Sequence, residues 1–227
     1  MSLKIKTHHL WKDSSHQHFQ QWADHYDRDF LNILLFRPTH DRVLALLRQW
    51  KRRGLCRARL LDVGCGTGTL ALRCARLPRL VERIEGVDIS DNMIANARDK
   101  AAMAGLADSI NFQVGDAERL PFEDNYFDVV TCCNSFHHYP RQQQAVREMN
   151  RVLKNSGRLI LIDGSRDNWF GYLIFQVCVV LVEKHVHHCD RRRFARLLER
   201  AGFTDIQQNY FGVCPPVIIN TARADKS

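Results

Sequence analysis

From residue 60 onward the chain alternates short apolar runs with stretches whose apolar residues recur every three or four positions. Leu60, Leu61 and Val63 form the first run, and Thr69, Leu70, Ala71, Leu72 and Ala75 then start a helical pattern that stops at Pro78. Further strands are predicted at Arg83–Asp88, Ile110–Val114, Tyr126–Cys133 and Arg158–Asp163. Between them Ser90 can cap a helix that turns Met93, Ile94 and Ala97 inward and ends at Gly105. Ala145–Leu153 reads as another helix, followed by an Asn155-Ser156-Gly157 turn. Asp190 begins a helix that runs to Gly202, and Phe203–Phe211 and Val217–Thr221 are the last two strands, paired at an edge. Strands that alternate with helices predict a parallel sheet covered on both faces.

Two helical segments precede this core. Phe19, Trp22, Ala23, Tyr26, Phe30, Ile33 and Leu34 recur at helical spacing within His16–Leu35. Thr39–Trp50 is a second helix, with Val43, Leu44, Leu46 and Leu47 on its buried face and Gly54 ending it. The expected division is therefore a helical segment over residues 1–55 that covers the active site and a core over 56–227. No internal repeat or low-complexity run interrupts it. The most apolar run, Trp169–Val182, has fourteen residues and contains Gln176. It is too short to span a membrane and reads as a buried helix, an apolar substrate wall or a membrane-facing lid.

The candidate chemistry begins where the first strand meets LLDVGCGTGTL. Strand, glycine turn and helix form a nucleotide-binding βα unit, in which the ligand approaches bare backbone. A dinucleotide fingerprint starting at Gly64 would need glycine or alanine at position 69, but Thr69 stands there and the spacing is G-x-G-x-G. Asp62 lies two residues before the first glycine, where it would repel a pyrophosphate and attract an ammonium group. Asp88 ends the second strand, roughly 20 residues past the loop, where an acid can hold a ribose. An ammonium group, a carboxylate and a ribose together describe S-adenosylmethionine.

These motifs resemble those of class I S-adenosylmethionine-dependent methyltransferases, and more narrowly the ubiquinone/menaquinone-biosynthesis (UbiE-like, type 11) group. The similar stretches are LLDVGCGTGTLAL, EGVDISDNMIANAR, VGDAERLPFEDNYFDVVTCCNSFHHYP, EMNRVLKNSGRLILID and FARLLERAGF. The resemblance implies an α/β fold: a Rossmann-like, doubly wound, seven-stranded and mostly parallel sheet with an antiparallel last strand, plus N-terminal helices. It also implies a cofactor site. Asp62, Gly64, Cys65, Gly66 and Gly68 would hold the methionine moiety, and Asp88 both ribose hydroxyls, with Ile89 beside the adenine. Asp116 and Ala117 would flank the adenine, and Asn134 would line the methionine end. On the acceptor side His137 and His138 are candidate bases, and Asp163 a further one. Tyr26 is a candidate for lining the active site. The implied acceptor is a small, apolar quinone, phenolic or lipid-like molecule.

Composition adds limits. The chain has 227 residues, eight cysteines without a C-x-x-C pair, and a formal net charge of +8. Buried free thiols and a cytoplasmic location are the expectation, since no apolar leader opens the chain. Much of the positive charge lies in Arg48–Arg59, with a second group at Arg191, Arg192, Arg193 and Arg196. These segments read as solvated helix faces or as a peripheral contact with an anionic membrane. Neither is interleaved with aromatic residues for nucleic-acid stacking, so no nucleic-acid partner is clear, although a nucleic-acid-associated factor and an NAD-dependent oxidoreductase stay as rival readings. Oligomeric state is not legible. His185, His187, His188, Cys189 and Asp190 have metal-like composition but no evident distant partner, so no metal site is expected.

Overall fold

A computed structural model of the protein describes residues 30–77, 79–167, 186–211 and 216–226. Helix α1 covers Phe30–Arg52, and strand β1 covers Ala58–Val63. Then follow α2 (Thr69–Ala75), β2 (Val81–Asp88), α3 (Asp91–Met103), β3 (Ile110–Val114) and β4 (Phe127–Cys133). A single 3-10 turn at Phe136–His138 leads to α4 (Gln142–Val152), β5 (Leu153–Gly164), α5 (Arg191–Glu199), β6 (Phe203–Phe211) and β7 (Val217–Ala224).

The seven strands form one sheet in the order β3-β2-β1-β4-β5-β7-β6. Neighbours from β3 through β5 pair in parallel, while β7 runs antiparallel to both β5 and β6. The doubly wound architecture predicted from the sequence is therefore present, with its last strand reversed. The last strand is not at the edge, because β7 inserts between β5 and β6.

The alternating side chains of each central strand serve two cores. Leu61, Val63, Val130, Leu159 and Leu161 pack with α4 and α5 on one face. Leu60, Val129, Ile160 and Ile162 pack with α1, α2 and α3 on the other. Leu60, Leu61 and Val63 are fully buried, each contributing about 1.5–3 kcal/mol of apolar burial. That two-sided burial explains why these strands read as continuous apolar runs rather than as alternating ones.

Two local expectations are corrected. The two N-terminal helices with a break before Thr39 are, over the described residues, one helix that continues through Pro38. Asn155-Ser156-Gly157 does not separate α4 from β5, because β5 begins at Leu153. The turn residues are absorbed as an irregularity instead: Phe127 pairs with Leu153 and Val129 with Arg158, with Ser156 at φ 64°. Tyr26 and the Trp169–Val182 run lie outside the described residues. Among the described residues, six cysteines are free thiols and all but Cys56 are at least partly buried. No described helix is long and apolar enough to cross a membrane.

Candidate active site

The chain steps outward from β1 to β2 to β3, then returns to the other side of β1 to form β4. The loops after β1 and β4 thus diverge at the carboxyl ends of adjacent strands, which is where open α/β sheets bind ligands. A cavity of about 550 Å³ opens there, within the range of small-molecule sites.

The glycine loop is held from beneath. The N–H groups of Gly64 and Cys65 both donate to the Val87 carbonyl, at 2.8 and 3.0 Å. Gly64, Gly66 and Gly68 all have positive φ, at 68°, 52° and 75°, but they serve different neighbours. A Cβ on Gly64 would overlap Ser135 and come within 2.7 Å of the Tyr139 hydroxyl; one on Gly68 would lie 2.5 Å from Phe112 Cζ. A Cβ on Gly66 would meet no protein atom within 4 Å, so this glycine keeps the cavity clear rather than the packing. The hydroxyl of Thr69, the first residue of α2, accepts a hydrogen bond from Lys100 Nζ at 2.8 Å.

Asp88 fastens the loop to β2. Its Oδ2 accepts from the Gly66 N–H at 2.9 Å and its Oδ1 from the Ser90 N–H at 3.0 Å. Asp62 sits across the loop with 2% of its surface exposed. The Thr131 hydroxyl donates to it at 2.7 Å. Burial pushes its carboxyl up to about 7, with the negative field of Asp88 adding to the shift. A buried acid that lines a cavity and has no cationic partner among the described residues is suited to an incoming ammonium group. Asp116 forms a turn by accepting from the Glu118 N–H at 2.9 Å.

The cavity gathers most of the residues expected from the sequence. Asp62, Gly64, Cys65 and Gly66 line it, as do Asp88 and Ile89 from the end of β2. Asp116, Ala117 and Asn134 complete the set, whereas Gly68 faces Phe112 and does not line it. Asn134 takes φ 55° and its side-chain amide donates to Thr39 Oγ1 at 3.0 Å, tying the loop after β4 to α1. The Phe36, Arg37 and His40 side chains of α1 also reach the cavity. Sequence reading did not single out these residues, or Ser135 and Tyr139 behind Gly64. The threonine within the apolar run FDVVTCC was a legible signal for Thr131; the α1 contacts left none.

The two histidines after β4 differ. His138 lines the cavity, while His137 is buried and directed away from it. The Nδ1 of His137 lies 2.6 Å from Asp163 Oδ1, and its backbone N–H donates to Asp163 Oδ2 at 2.8 Å. The His138 and His188 rings flank that of His137, with centroids at 4.1 and 4.3 Å. Burial pushes the Asp163 carboxyl up and holds His137 and His188 down to about 3.

Comparison with known proteins shows the family. Residues 61–161 match the family described as a methyltransferase domain. The methyltransferase GfsG of Streptomyces halstedii is 32% identical over 169 residues, covering 70% of this chain and 59% of that protein. The ubiquinone/menaquinone biosynthesis C-methyltransferase UbiE of Allorhizobium ampelinum is 30% identical over 220 residues, covering 86% of this chain and 83% of the relative. In fold, the magnesium protoporphyrin IX methyltransferase of Synechocystis, solved with bound SAH, superposes with a TM-score of 0.68 over 87% of this chain and 88% of its own, at 17% identity. With the glycine loop, Asp62 and Asp88 set around one cavity and a UbiE relative matched along most of its length, the chain belongs to the UbiE-related family of S-adenosylmethionine-dependent methyltransferases.

Proposed function

We propose that the protein transfers a methyl group from S-adenosylmethionine to a small, apolar acceptor of the quinone, phenolic or lipid-like class. One observation carries the reading: the acids fitted to the donor and His138, a titratable group fitted to an acceptor, open onto the same cavity. The ubiquinone/menaquinone names of several relatives support the acceptor class.

The residues present fit the cofactor. Asp62 offers a buried carboxylate to its ammonium group, Asp88 to its ribose, and the bare Gly66 backbone leaves room between them. When bound, the cofactor supplies a methyl group made electrophilic by a sulfonium. What remains for the chain is to hold the acceptor in line and keep water out, which is mainly an entropic contribution. For a carbon or phenol acceptor a proton must also leave. His138 is the imidazole that meets the cavity, and His137, clasped by Asp163, packs behind it as a positioning residue.

The test is to incubate the protein with methyl-labelled donor and a cell extract, then separate lipid from aqueous material. Label is expected in the lipid fraction, and label confined to aqueous, protein or nucleic-acid fractions overturns the acceptor class. In the same assay His138→Gln is expected to lower turnover by about 10²-fold or more while leaving affinity for S-adenosylhomocysteine unchanged. Undiminished turnover removes His138 from the mechanism.

A further inference from the structure

The fold supplies what the histidine-rich run before α5 lacks in sequence, namely partners from elsewhere in the chain. His188 meets His137, from the turn after β4, and Asp163, from the end of β5. One ligand atom from each lies within 4.8 Å of the other two, and all three residues are buried. We infer that His137, Asp163 and His188 form a binding site for one divalent transition-metal ion of the zinc class, separate from the donor cavity and independent of which acceptor is used.

Three features support the assignment. First, the donors are two imidazole nitrogens and a carboxylate oxygen, a set that suits zinc and its transition-metal neighbours better than magnesium or calcium. Second, the spacing is close to what such an ion needs. Bonds of about 2.0–2.1 Å to a tetrahedral ion place ligand atoms about 3.4 Å apart. Here Asp163 Oδ1 lies 2.6 Å from His137 Nδ1 and 3.9 Å from His188 Nδ1, so the separations bracket that figure. A neutral His137 ring with its proton on Nε2 would leave the Nδ1 lone pair for the ion, beside an ionised Asp163.

Third, the frame is built independently of the ion. The His187 N–H donates to the His137 carbonyl at 2.8 Å, and Gln142 Nε2 donates to the His187 carbonyl at 2.7 Å. Ser165 and Cys189 form a bridge between the strand end and the histidine run. Asp163 itself is oriented by N–H donors from His137 and Gly164, the kind of outer support that metal-ligating carboxylates receive. Among the described residues, its side-chain neighbours are the two imidazoles, and no lysine or arginine pairs with it. A buried carboxylate so placed gains from a dipositive neighbour. The ion would pin residues 186–190 to the sheet and fix His137 behind His138.

Untagged full-length protein, stripped with a chelator and dialysed, should be titrated with Co²⁺ and followed by visible absorption. The expected result is a saturable ligand-field band at one equivalent, removed by Zn²⁺ but not by Mg²⁺. Asp163→Asn and His188→Gln should each weaken Co²⁺ binding by at least about tenfold. His187→Gln should leave it unchanged, since His187 is exposed and its Nδ1 lies 3.0 Å from the Val186 carbonyl. Absence of a saturable band in the unaltered protein overturns the site, and this measurement needs no variant to fold. So does a band that persists unchanged in both Asp163→Asn and His188→Gln, or one that is lost in His187→Gln alone.

Discussion

The ammonium contact proposed for Asp62 predicts a donor affinity that depends on pH. The folded value of Asp62, about 7, lies above its ordinary value of 3.8 because burial disfavours the charge. Without a ligand, its contribution to stability is therefore full below about pH 4 and is lost as the pH rises through about 7. An ammonium group reverses the preference, because it binds the ionised form. Affinity for S-adenosylhomocysteine should thus rise between about pH 6 and 7.5, a range in which the ligand's own amine stays mostly charged. Titration calorimetry should show this rise in the native protein and a flat, weaker response in Asp62→Asn. Equal pH dependence in both would remove Asp62 as the group that senses the ammonium.

Gly66 and Gly68 separate a ligand constraint from a packing constraint two residues apart. Alanine at 68 adds left-handed strain and a Cβ 2.5 Å from Phe112 Cζ, so a loss of about 2–4 kcal/mol in stability is expected. Alanine at 66 carries the strain alone, about 1–2 kcal/mol, but its methyl enters the donor space. Thermal denaturation should rank Gly68→Ala as the less stable variant. Calorimetry should show Gly66→Ala losing at least about tenfold in donor-analogue affinity, or about 1.4 kcal/mol. The G-x-G-x-G spacing marked both positions in the sequence but could not say which faced a ligand, since Phe112 is brought to Gly68 by the pairing of β2 with β3.

Among elements, those defined by burial were legible and those defined by partners were not. The central strands were readable because both faces are covered and β-branched and leucine residues fill them. Helix α1 reads in the sequence as two segments, ending at Leu35 and starting at Thr39, and between them lies Pro38, which lacks an N–H and crowds the preceding turn. The helix nonetheless continues, with Val43, Leu44, Leu47 and Trp50 burying its second half and the Thr39 hydroxyl donating to the Phe36 carbonyl at 2.6 Å. Tertiary burial here outweighs a local cost. Pro38→Ala should therefore stabilise the protein, by about 1–3 kcal/mol. A scanning-calorimetry midpoint that falls instead would mean that the proline ring itself contributes to how α1 packs, and would overturn the ascription of a local cost to it. The contacts of the histidine run before α5 are likewise not legible in the sequence. Its partners, 25 and 51 residues away at Asp163 and His137, meet only once β4 and β5 are paired.

For the molecule as a whole, the basic cluster at the end of α1 and the cleft lie at opposite ends of β1, although Arg37, Arg73, Arg76 and Lys100 line the cleft itself. Arg48, Lys51, Arg52 and Arg53 are exposed around the end of α1, where Lys51 and Arg52 also oppose the helix dipole. That segment leads into Ala58, the first residue of β1, whereas the cavity opens beyond Val63, the last. Six extended residues put about 20 Å between them. A bilayer held by this patch would face away from the cavity, so a membrane contact here would not deliver an acceptor to the chemistry. Replacing all four residues by glutamine should weaken retention on phosphatidylserine-containing vesicles by about a thousandfold, at roughly 1 kcal/mol per basic residue near the surface. Donor affinity and turnover of a dispersed acceptor should stay within about twofold, because none of the four lines the cavity. Loss of turnover at unchanged vesicle binding would place the patch in the acceptor's path and refute the separation of the two ends.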